Sequence, residues 1–315
     1  MSSTRNPTLG LVLALSTAFL WGFLAVALTL LLRRLDPYTV TWFRMAGAAL
    51  LLGGYQVWRR QLPSLRTLTP GQWGLFAIAL FGLLGNYVIF IAALNYVPPA
   101  TAQLVIQLAP LLFLTGGLVV FREQFARLQW IGFVLLVAGL LLFFNQRLPA
   151  LLTLSGNEGK GVAMLVVAAI SWAAYALAQK KLLDVLPSEN ILLLIYVFSS
   201  LVLLPWVNLG SIQSLDTFGW QLLAFGVFNT LAAYGAFAEA LDHWEASRVS
   251  AVISLTPLIT VGVVYVAITF WPEANLGSRL DLIAWLGALL IVTGSVLTAL
   301  GREVVPHPVA EVVGD

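Results

Sequence analysis

The sequence predicts an all-α integral membrane protein with ten transmembrane helices arranged as two inverted five-helix repeats. Three observations lead to this prediction. The chain is 60% hydrophobic and only 10% charged, its apolar segments have the length of membrane spans, and motifs of its first half recur in its second. Soluble domains contain roughly 25% charged residues and cannot hide this much apolar surface from water. The lipid bilayer is therefore the predicted solvent for most of the chain.

Ten continuous apolar segments account for most of the sequence. A helix needs about 20 residues to cross roughly 30 Å of hydrocarbon, and each segment lies near that length. The segments lack the alternation of barrel strands, so we predict helices. They occupy residues 9–32, 39–57, 72–94, 99–121, 128–144, 161–182, 190–209, 218–241, 247–270 and 281–300. The first exceeds the roughly 7–15 apolar residues of a signal peptide, so we expect it to stay as a span.

The distribution of lysine and arginine predicts the orientation of these helices. With a cytoplasmic N-terminus, ten basic residues flank inner helix ends and five flank outer ends. Both termini are then cytoplasmic, in a multi-pass protein of the inner (plasma) membrane, and residues 301–315 form a disordered cytoplasmic tail. The net charge is only +2 and the basic residues are scattered, which argues against a nucleic-acid partner.

The two predicted repeats are residues 9–145 and 160–300. A Trp-x-Gly motif with a second glycine seven residues later occurs near the end of both. The matching residues are Trp130, Gly132 and Gly139 in the first repeat and Trp285, Gly287 and Gly294 in the second. Five helices per repeat make the second repeat enter from the opposite face, which inverts it. Inverted repeats are typical of secondary transporters, although duplication used only for packing is an alternative.

Further short motifs follow one another in a characteristic order along both halves. They include Trp21-Gly22, Arg44, Asn86-Tyr87, Pro99-Ala100, the stretch from Pro110 to Glu123, Ser171-Trp172, Phe228-Asn229 and Pro257. In this order they resemble the EamA family of the drug/metabolite transporter superfamily, over nearly the whole chain. The resemblance implies a ten-helix fold and efflux or exchange of amino acids or similar metabolites. It also implies a central cavity lined mainly by helices three, four, eight and nine.

Polar side chains inside the apolar segments are the first candidates for a substrate site, because such groups are rare in hydrocarbon. Gln103 and Gln107 share one face of helix four, and Pro110 follows one turn later. The matching positions of helix nine hold Ser250, Ser254 and Pro257. Each proline removes a backbone hydrogen bond, so amide or hydroxyl groups beside a helix break can bind a solute. Interhelical hydrogen bonding is the alternative role.

Aromatic side chains and a neighbouring amide are the second group of candidates. Aromatic residues with a polar tip are suited to line a cavity for amino acids or aromatic metabolites, although many serve only packing or the membrane interface. The substrate-binding candidates of this group are Asn86, Tyr87, Phe90, Trp21, Trp172, Tyr234 and Phe237.

Charged residues in the segments are candidates for coupling or gating, together with Pro110 and Pro257. Arg44 lies inside helix two and is suited to bind a carboxylate; the alternatives are snorkelling to the interface or an ion pair with Asp36. Glu239 lies near the inner end of helix eight. It is either a proton-coupling carboxylate, a partner for a substrate amine, or part of a hydrated helix end.

The predicted function is a secondary transporter, an exporter or exchanger that works by alternating access. The alternatives are a membrane channel and an intramembrane enzyme acting on a lipid-like substrate. Such an enzyme needs a nucleophile with a base, an aspartate pair or a metal cluster, and the sequence has no cysteine and only two histidines. We therefore expect no enzyme activity and no cofactor, and a small-molecule substrate and the lipid bilayer as partners. The sequence predicts no oligomeric state.

Overall fold

The structure is a computed structural model that describes residues 6–60, 68–97, 102, 105–143, 145, 156–270 and 281–300. Every regular element in these residues is helical. The α-helices are α1 (Pro7–Leu31), α2 (Pro37–Arg59), α3 (Pro70–Ala93), α4 (Leu108–Val120), α5 (Arg127–Phe143), α6 (Gly156–Leu182), α7 (Ser188–Leu203), α8 (Thr217–His243), α9 (Ala246–Ile253), α10 (Thr256–Phe270) and α11 (Leu282–Leu300). Gln103 and the predicted tail at 301–315 lie outside the described residues.

Seven helical stretches in the described part of the chain are long and apolar enough to cross a membrane. They are α1, α3, α6, α7 with the turn after it, α8, α9 joined to most of α10, and α11. Two further apolar helices, α4 and α5, are shorter at 13 and 17 residues. Helix α2 has 23 residues, but its polar residues make it less apolar. The chain is therefore a multi-pass membrane protein.

Several helices begin at residues that satisfy the free backbone N–H groups of the first turn. Helices α1, α2 and α3 each start with a proline, which has no N–H to satisfy there. Before α2, the Asp36 carboxylate accepts hydrogen bonds from the backbone N–H groups of Tyr38 and Thr39, both at 2.9 Å. Such caps explain why the observed α2 starts two residues before the predicted segment.

The N-terminus of α8 is held to the loop after α1. Asp216 accepts a hydrogen bond from the Gly219 backbone N–H at 2.7 Å and pairs with Arg34 at 2.9 Å. The Gly219 N–H, followed by the Arg34 charge, keeps the pKa of Asp216 below its ordinary value. This exposed contact links the first half of the chain to the second at one end of the bundle.

Prolines shorten or interrupt three of the predicted helical segments. Segment 99–121 has a turn at Gln107, just before α4, and segment 247–270 is divided by a turn at Ser254-Leu255. Pro110 is the third residue of α4 and Pro257 the second of α10. Each ring excludes a backbone hydrogen bond to the preceding turn. Segment 190–209 likewise changes to a short 3-10 helix around Pro205.

Helices α5 and α11 pack so closely that only glycine fits at four positions of their contact. A Cβ atom on Gly132 would lie 2.7 Å from the Gly294 carbonyl oxygen, and one on Gly294 would lie 2.6 Å from the Gly132 oxygen. Gly139 and Gly287 face each other in the same reciprocal way, at 2.9 and 2.7 Å. Since Gly132 contacts Gly294 and Gly139 contacts Gly287, the two helices are antiparallel. These are the glycines of the recurring Trp-x-Gly motif.

The other helix contacts also occur in related pairs. Helix α1 packs along α8, and α3 packs along α6. Helix α4 contacts α6, while α9 and α10 contact α1. Helices α2 and α7 contact each other, as do α4 and α9. Suppose that α1–α5 correspond in order to α6, α7, α8, the α9–α10 pair and α11. Exchanging the two sets then converts the α1–α8 contact into α3–α6 and the α4–α6 contact into that of α1 with α9–α10, and it leaves the α2–α7 and α4–α9 contacts unchanged.

Candidate functional site

A cavity of about 110 Å³, partly open to the outside, lies among α1, α2, α3, α4, α6, α8 and the α9–α10 break. Nine of the site residues predicted from the sequence line this cavity: Trp21, Arg44, Asn86, Tyr87, Phe90, Gln107, Pro110, Trp172 and Tyr234. Helices α1, α2 and α6 therefore contribute beside the helices that the family resemblance implied.

Aromatic rings form much of the cavity wall. The rings of Trp21 and Trp172, from α1 and α6, lie 5.7 Å apart and nearly perpendicular. Tyr234 lies 5.1 Å from Trp21 and 5.4 Å from Tyr87. Phe237 does not line the cavity; it is fully buried behind it, 5.2 Å from Trp172. These offset and edge contacts hold the rings in fixed orientations.

Arg44 is a buried cation on this wall, with only 2% of its surface exposed. Its Nε donates a hydrogen bond to the Thr230 hydroxyl at 3.0 Å, and its guanidinium carbon lies 4.3 Å from the centre of the Tyr87 ring. No carboxylate among the described residues forms an ion pair with it. Asp36, the partner considered from the sequence, instead bonds to Tyr38 and Thr39.

Besides the Arg44 cation, the cavity wall holds two buried polar atoms that have no hydrogen-bond partner in the described part of the chain. They are the Oε1 of Gln107 and the indole Nε1 of Trp21. Asn86, by contrast, donates from Nδ2 to the Ala168 carbonyl oxygen at 3.0 Å. The cavity thus presents a cation, an N–H donor and a carbonyl acceptor among aromatic rings, which suits a small solute with both polar and apolar parts.

The predicted serines of the second helix break do not line the cavity. Ser250 donates its hydroxyl to the carbonyl oxygen of Pro110, and Ser254 donates to the Ser250 carbonyl at 3.0 Å. The Ser250 hydroxyl thereby joins the two breaks, whereas the Ser254 hydroxyl bonds within its own helix. Pro257 is buried beside them, and Thr256 lines the cavity instead of the two serines. Sequence reasoning missed Thr256, although its position beside Pro257 was a usable signal.

Thr256 also repairs the backbone at the break. Pro257 leaves the carbonyl of Ile253 without its helical donor. The Thr256 hydroxyl donates to this oxygen at 2.6 Å. Both residues lie on the cavity wall, so the break itself is part of the site.

Glu239 lies away from the cavity, near the end of α8. Its carboxylate accepts a hydrogen bond from the Ser188 hydroxyl at 2.9 Å and lies 3.7 Å from the Nε2 of His243. Its side chain is 46% exposed. The substrate-amine role considered from the sequence therefore has no geometric basis here, whereas its coupling role stays a prediction.

The opposite end of the bundle from the cavity is closed by a network that joins the two halves of the chain. The Glu123 carboxylate, just beyond α4, accepts hydrogen bonds from the backbone N–H groups of Ala246 and Ser247 at 2.9 and 3.2 Å. Lys180 lies 4.0 Å from Glu123 and donates to the Trp244 carbonyl at 2.9 Å. An anion at the start of α9 is favoured by the helix dipole.

Close packing at the same end adds to this network. A Cβ atom on Gly10 would lie 2.8 Å from the indole ring of Trp244. The start of α1 therefore packs directly against the junction between α8 and α9. The fold and site together define a class: a multi-pass membrane protein with a central cavity lined by aromatic rings and a network of contacts at one end of its helix bundle.

Comparison with known proteins identifies the family. The model of the EamA-like transporter family matches residues 8–145 and again residues 159–300. The chain belongs to the EamA-like transporter family. It is 35% identical to an uncharacterized transporter of Haemophilus influenzae, over 96% of this chain and 98% of the relative. It is 36% identical to the uncharacterized inner membrane transporter YhbE of Escherichia coli K12, over 94% and 92% of the two chains.

More distant similarities extend the comparison. A protein of Salmonella typhimurium described as a probable amino-acid metabolite efflux pump is 26% identical, over 93% of this chain and 95% of the relative. One solved crystal structure matches with a TM-score of 0.71 at 18% identity, covering 92% of this chain and 97% of that one. The structural similarity concerns the fold alone.

Proposed function

We propose that the protein is a secondary transporter that exports or exchanges amino acids or similar small metabolites by alternating access. The observation that carries this proposal is the central cavity, whose wall combines aromatic rings with a buried cation and polar atoms that lack a partner in the described part of the chain. Family membership and the transporter names of the relatives support a transport role rather than an enzymatic one. The distant efflux-pump relative supports export of amino-acid metabolites.

The proposed architecture is ten transmembrane helices in two inverted repeats, at 9–145 and 160–300. The family model matches twice, once in each half. The antiparallel glycine contact of α5 with α11 and the exchangeable helix pairs support inversion. In this arrangement the α9–α10 pair is a single broken span, and α2, α4 and α5 complete the count. Two equivalent halves then permit two equivalent states.

The proposed orientation places both termini in the cytoplasm. The network of Glu123 and Lys180 then lies on the cytoplasmic side. The C-terminal half of α1, from Trp21 to Leu28, lines the cavity. Because this half of α1 is the outer one in the proposed orientation, the cavity faces outward. The described conformation is the outward-facing state in this proposal. Rocking the halves would open the Glu123 end and close the cavity mouth.

The test is counterflow into proteoliposomes with a panel of labelled amino acids. Two tryptophans offer a matched pair of variants: Trp172 lines the cavity, whereas Trp130 is half-exposed on the outer surface. We expect uptake of a defined subset of amino acids, reduced about 10-fold or more in Trp172→Ala because an aromatic contact is lost. Trp130→Ala should match the wild type. Equal uptake by both variants would remove the cavity from the transport path.

Proton coupling through Glu239 is a separate part of the proposal. Glu239 lies beside His243, near the end of α8 that this proposal places at the cytoplasmic face. We expect Glu239→Gln to keep counterflow but to lose the response of net flux to a pH gradient. A wild-type flux that ignores the pH gradient would eliminate this role, while leaving exchange intact.

A further inference from the structure

Arg44 is held inside the protein rather than at the membrane surface. It lies seven residues after the first residue of α2, about 10 Å along the helix axis. Snorkelling would carry the guanidinium toward that end of the helix. Instead the Arg44 Nε donates to Thr230 of α8, and the guanidinium carbon lies over the ring of Tyr87 of α3. Contacts from two other helices therefore fix its position on the cavity wall.

The positive charge of Arg44 is not neutralised by the described part of the protein. The acidic residues described there all lie between helices or within about one turn of a helix end, and none pairs with Arg44. Its Nη2 is buried and without a hydrogen-bond partner in the same set of residues. An uncompensated buried charge is strongly unfavourable. An anion that enters the cavity would supply the missing partner.

A carboxylate is an anion that fits this site. A guanidinium presents parallel N–H groups that match the two oxygens of a carboxylate. The cavity wall also holds the unpaired Nε1 of Trp21, a second donor, and otherwise consists mainly of aromatic and aliphatic side chains. We propose that Arg44 binds a carboxylate of the transported solute, which makes that carboxylate a required part of the substrate. This inference rests on the proposed transport function and names its substrate class.

Thr230 and Tyr87 have a positioning role in this proposal. Thr230 donates its hydroxyl to the Gly226 carbonyl at 2.8 Å, which leaves its oxygen free to accept from Arg44. Because Nε is engaged there, the terminal nitrogens of the guanidinium are available to the solute. A lysine cannot reproduce this division, since it has a single nitrogen.

The test compares ligands that differ only at the carboxylate. Binding is measured on the purified full chain in detergent, as ligand-dependent thermal stabilisation, and counterflow is measured in proteoliposomes. The probes are the common amino acids and the carboxamide of each one that binds. For the wild type we expect the acid to bind at least about 30-fold more tightly than its amide, because a buried charge pair is lost. This comparison needs no variant and is therefore independent of any folding defect.

The variants then assign the preference to Arg44. In Arg44→Gln the acid and amide should bind within about 3-fold of each other, and Arg44→Lys should retain part of the preference. Arg33→Gln, which removes an exposed arginine near the end of α1, should behave as the wild type. Equal binding of acid and amide by the wild type would overturn the proposal. An undiminished preference in Arg44→Gln would do so too.

The two readouts separate this inference from the function on which it rests. Carboxylate-dependent binding without flux of any bound solute would contradict the transport function and retain Arg44 as the carboxylate site. Flux of acids and amides at equal rates would retain the transport function and overturn the role of Arg44. Failure of every amino acid to bind would overturn both the amino-acid substrate class and the carboxylate site.

Discussion

Replacing Glu123 by glutamine should shift the protein away from the described conformation. The Glu123 side chain is only 9% exposed and accepts two backbone hydrogen bonds at the start of α9. Glutamine keeps one acceptor oxygen but loses the charge that interacts with the helix dipole and with Lys180. A partly buried charge at a helix terminus contributes about 1–2 kcal/mol, so the conformational equilibrium should shift about 5- to 30-fold.

Cysteine accessibility can measure this shift directly, because the native chain contains no cysteine. Two alanines are suitable reporters: Ala25 on the cavity wall, and Ala176, fully buried one turn beyond Trp172 toward the closed end. Ala25→Cys and Ala176→Cys are each made in the wild-type and Glu123→Gln backgrounds. We expect Glu123→Gln to accelerate maleimide labelling at position 176 and to slow it at position 25.

The matched control is Glu189→Gln, at an exposed glutamate in the first turn of α7. It removes the same charge from a helix start without breaking a contact between the two halves of the chain. Labelling rates in this background should equal those of the wild type. If Glu123→Gln left both rates unchanged, the network at this end would not hold the described state, and the gating argument would be wrong.

Three further predictions concern packing, the helix breaks and pH. Gly139→Ala should destabilise the protein by about 1–3 kcal/mol because its Cβ meets the backbone of α11, whereas Gly262→Ala, where the space is open, should leave the melting temperature equal or higher. Ser250→Ala leaves the Pro110 carbonyl without its hydroxyl donor; we expect a loss of about 0.5–1.5 kcal/mol in denaturant unfolding, and an unchanged midpoint would contradict it. The folded-state pKa of Asp216 is depressed, so its charge stabilises the fold above the ordinary carboxyl pKa of about 3.9 and ceases to do so as the pH falls through the folded value. The melting-temperature difference between wild type and Asp216→Asn should therefore be present at neutral pH and vanish in acid; a constant difference would refute the assignment.

The sequence was sufficient to locate most of the described helices because spanning length and apolar composition act locally. Predicted segment 128–144 and observed Arg127–Phe143 differ by one residue at each end. The glycine motif was equally informative. Gly132 and Gly139 have the same spacing as Gly287 and Gly294, and the glycines of the two motifs contact each other in the structure. Such features follow from chain geometry or from a requirement for close helix approach, both of which leave a direct mark on residue type.

The serines of the second break show where sequence reasoning ends. Ser250 was placed correctly on a broken helix, but whether a hydroxyl faces a cavity or a neighbouring helix depends on the rotation of that helix. Here the carbonyl oxygen of Pro110 in α4 lies within reach, and the Ser250 hydroxyl donates to it. Thr256 faces the cavity instead. A polar residue beside a proline thus marks a site without specifying which side chain serves it.

Arg44 shows the same limit in a charged group. From the sequence, the membrane interface or an ion pair with Asp36 was favoured over a carboxylate ligand. The deciding contact is with Thr230, which lies 186 residues away in the chain and belongs to the other half. Contacts of Arg44 with Thr230 and of Ser250 with Pro110 both cross between the two halves, so a rocking motion between them would alter these contacts. Substrate recognition and conformational change would therefore act on the same surfaces of the protein, which is what alternating access requires.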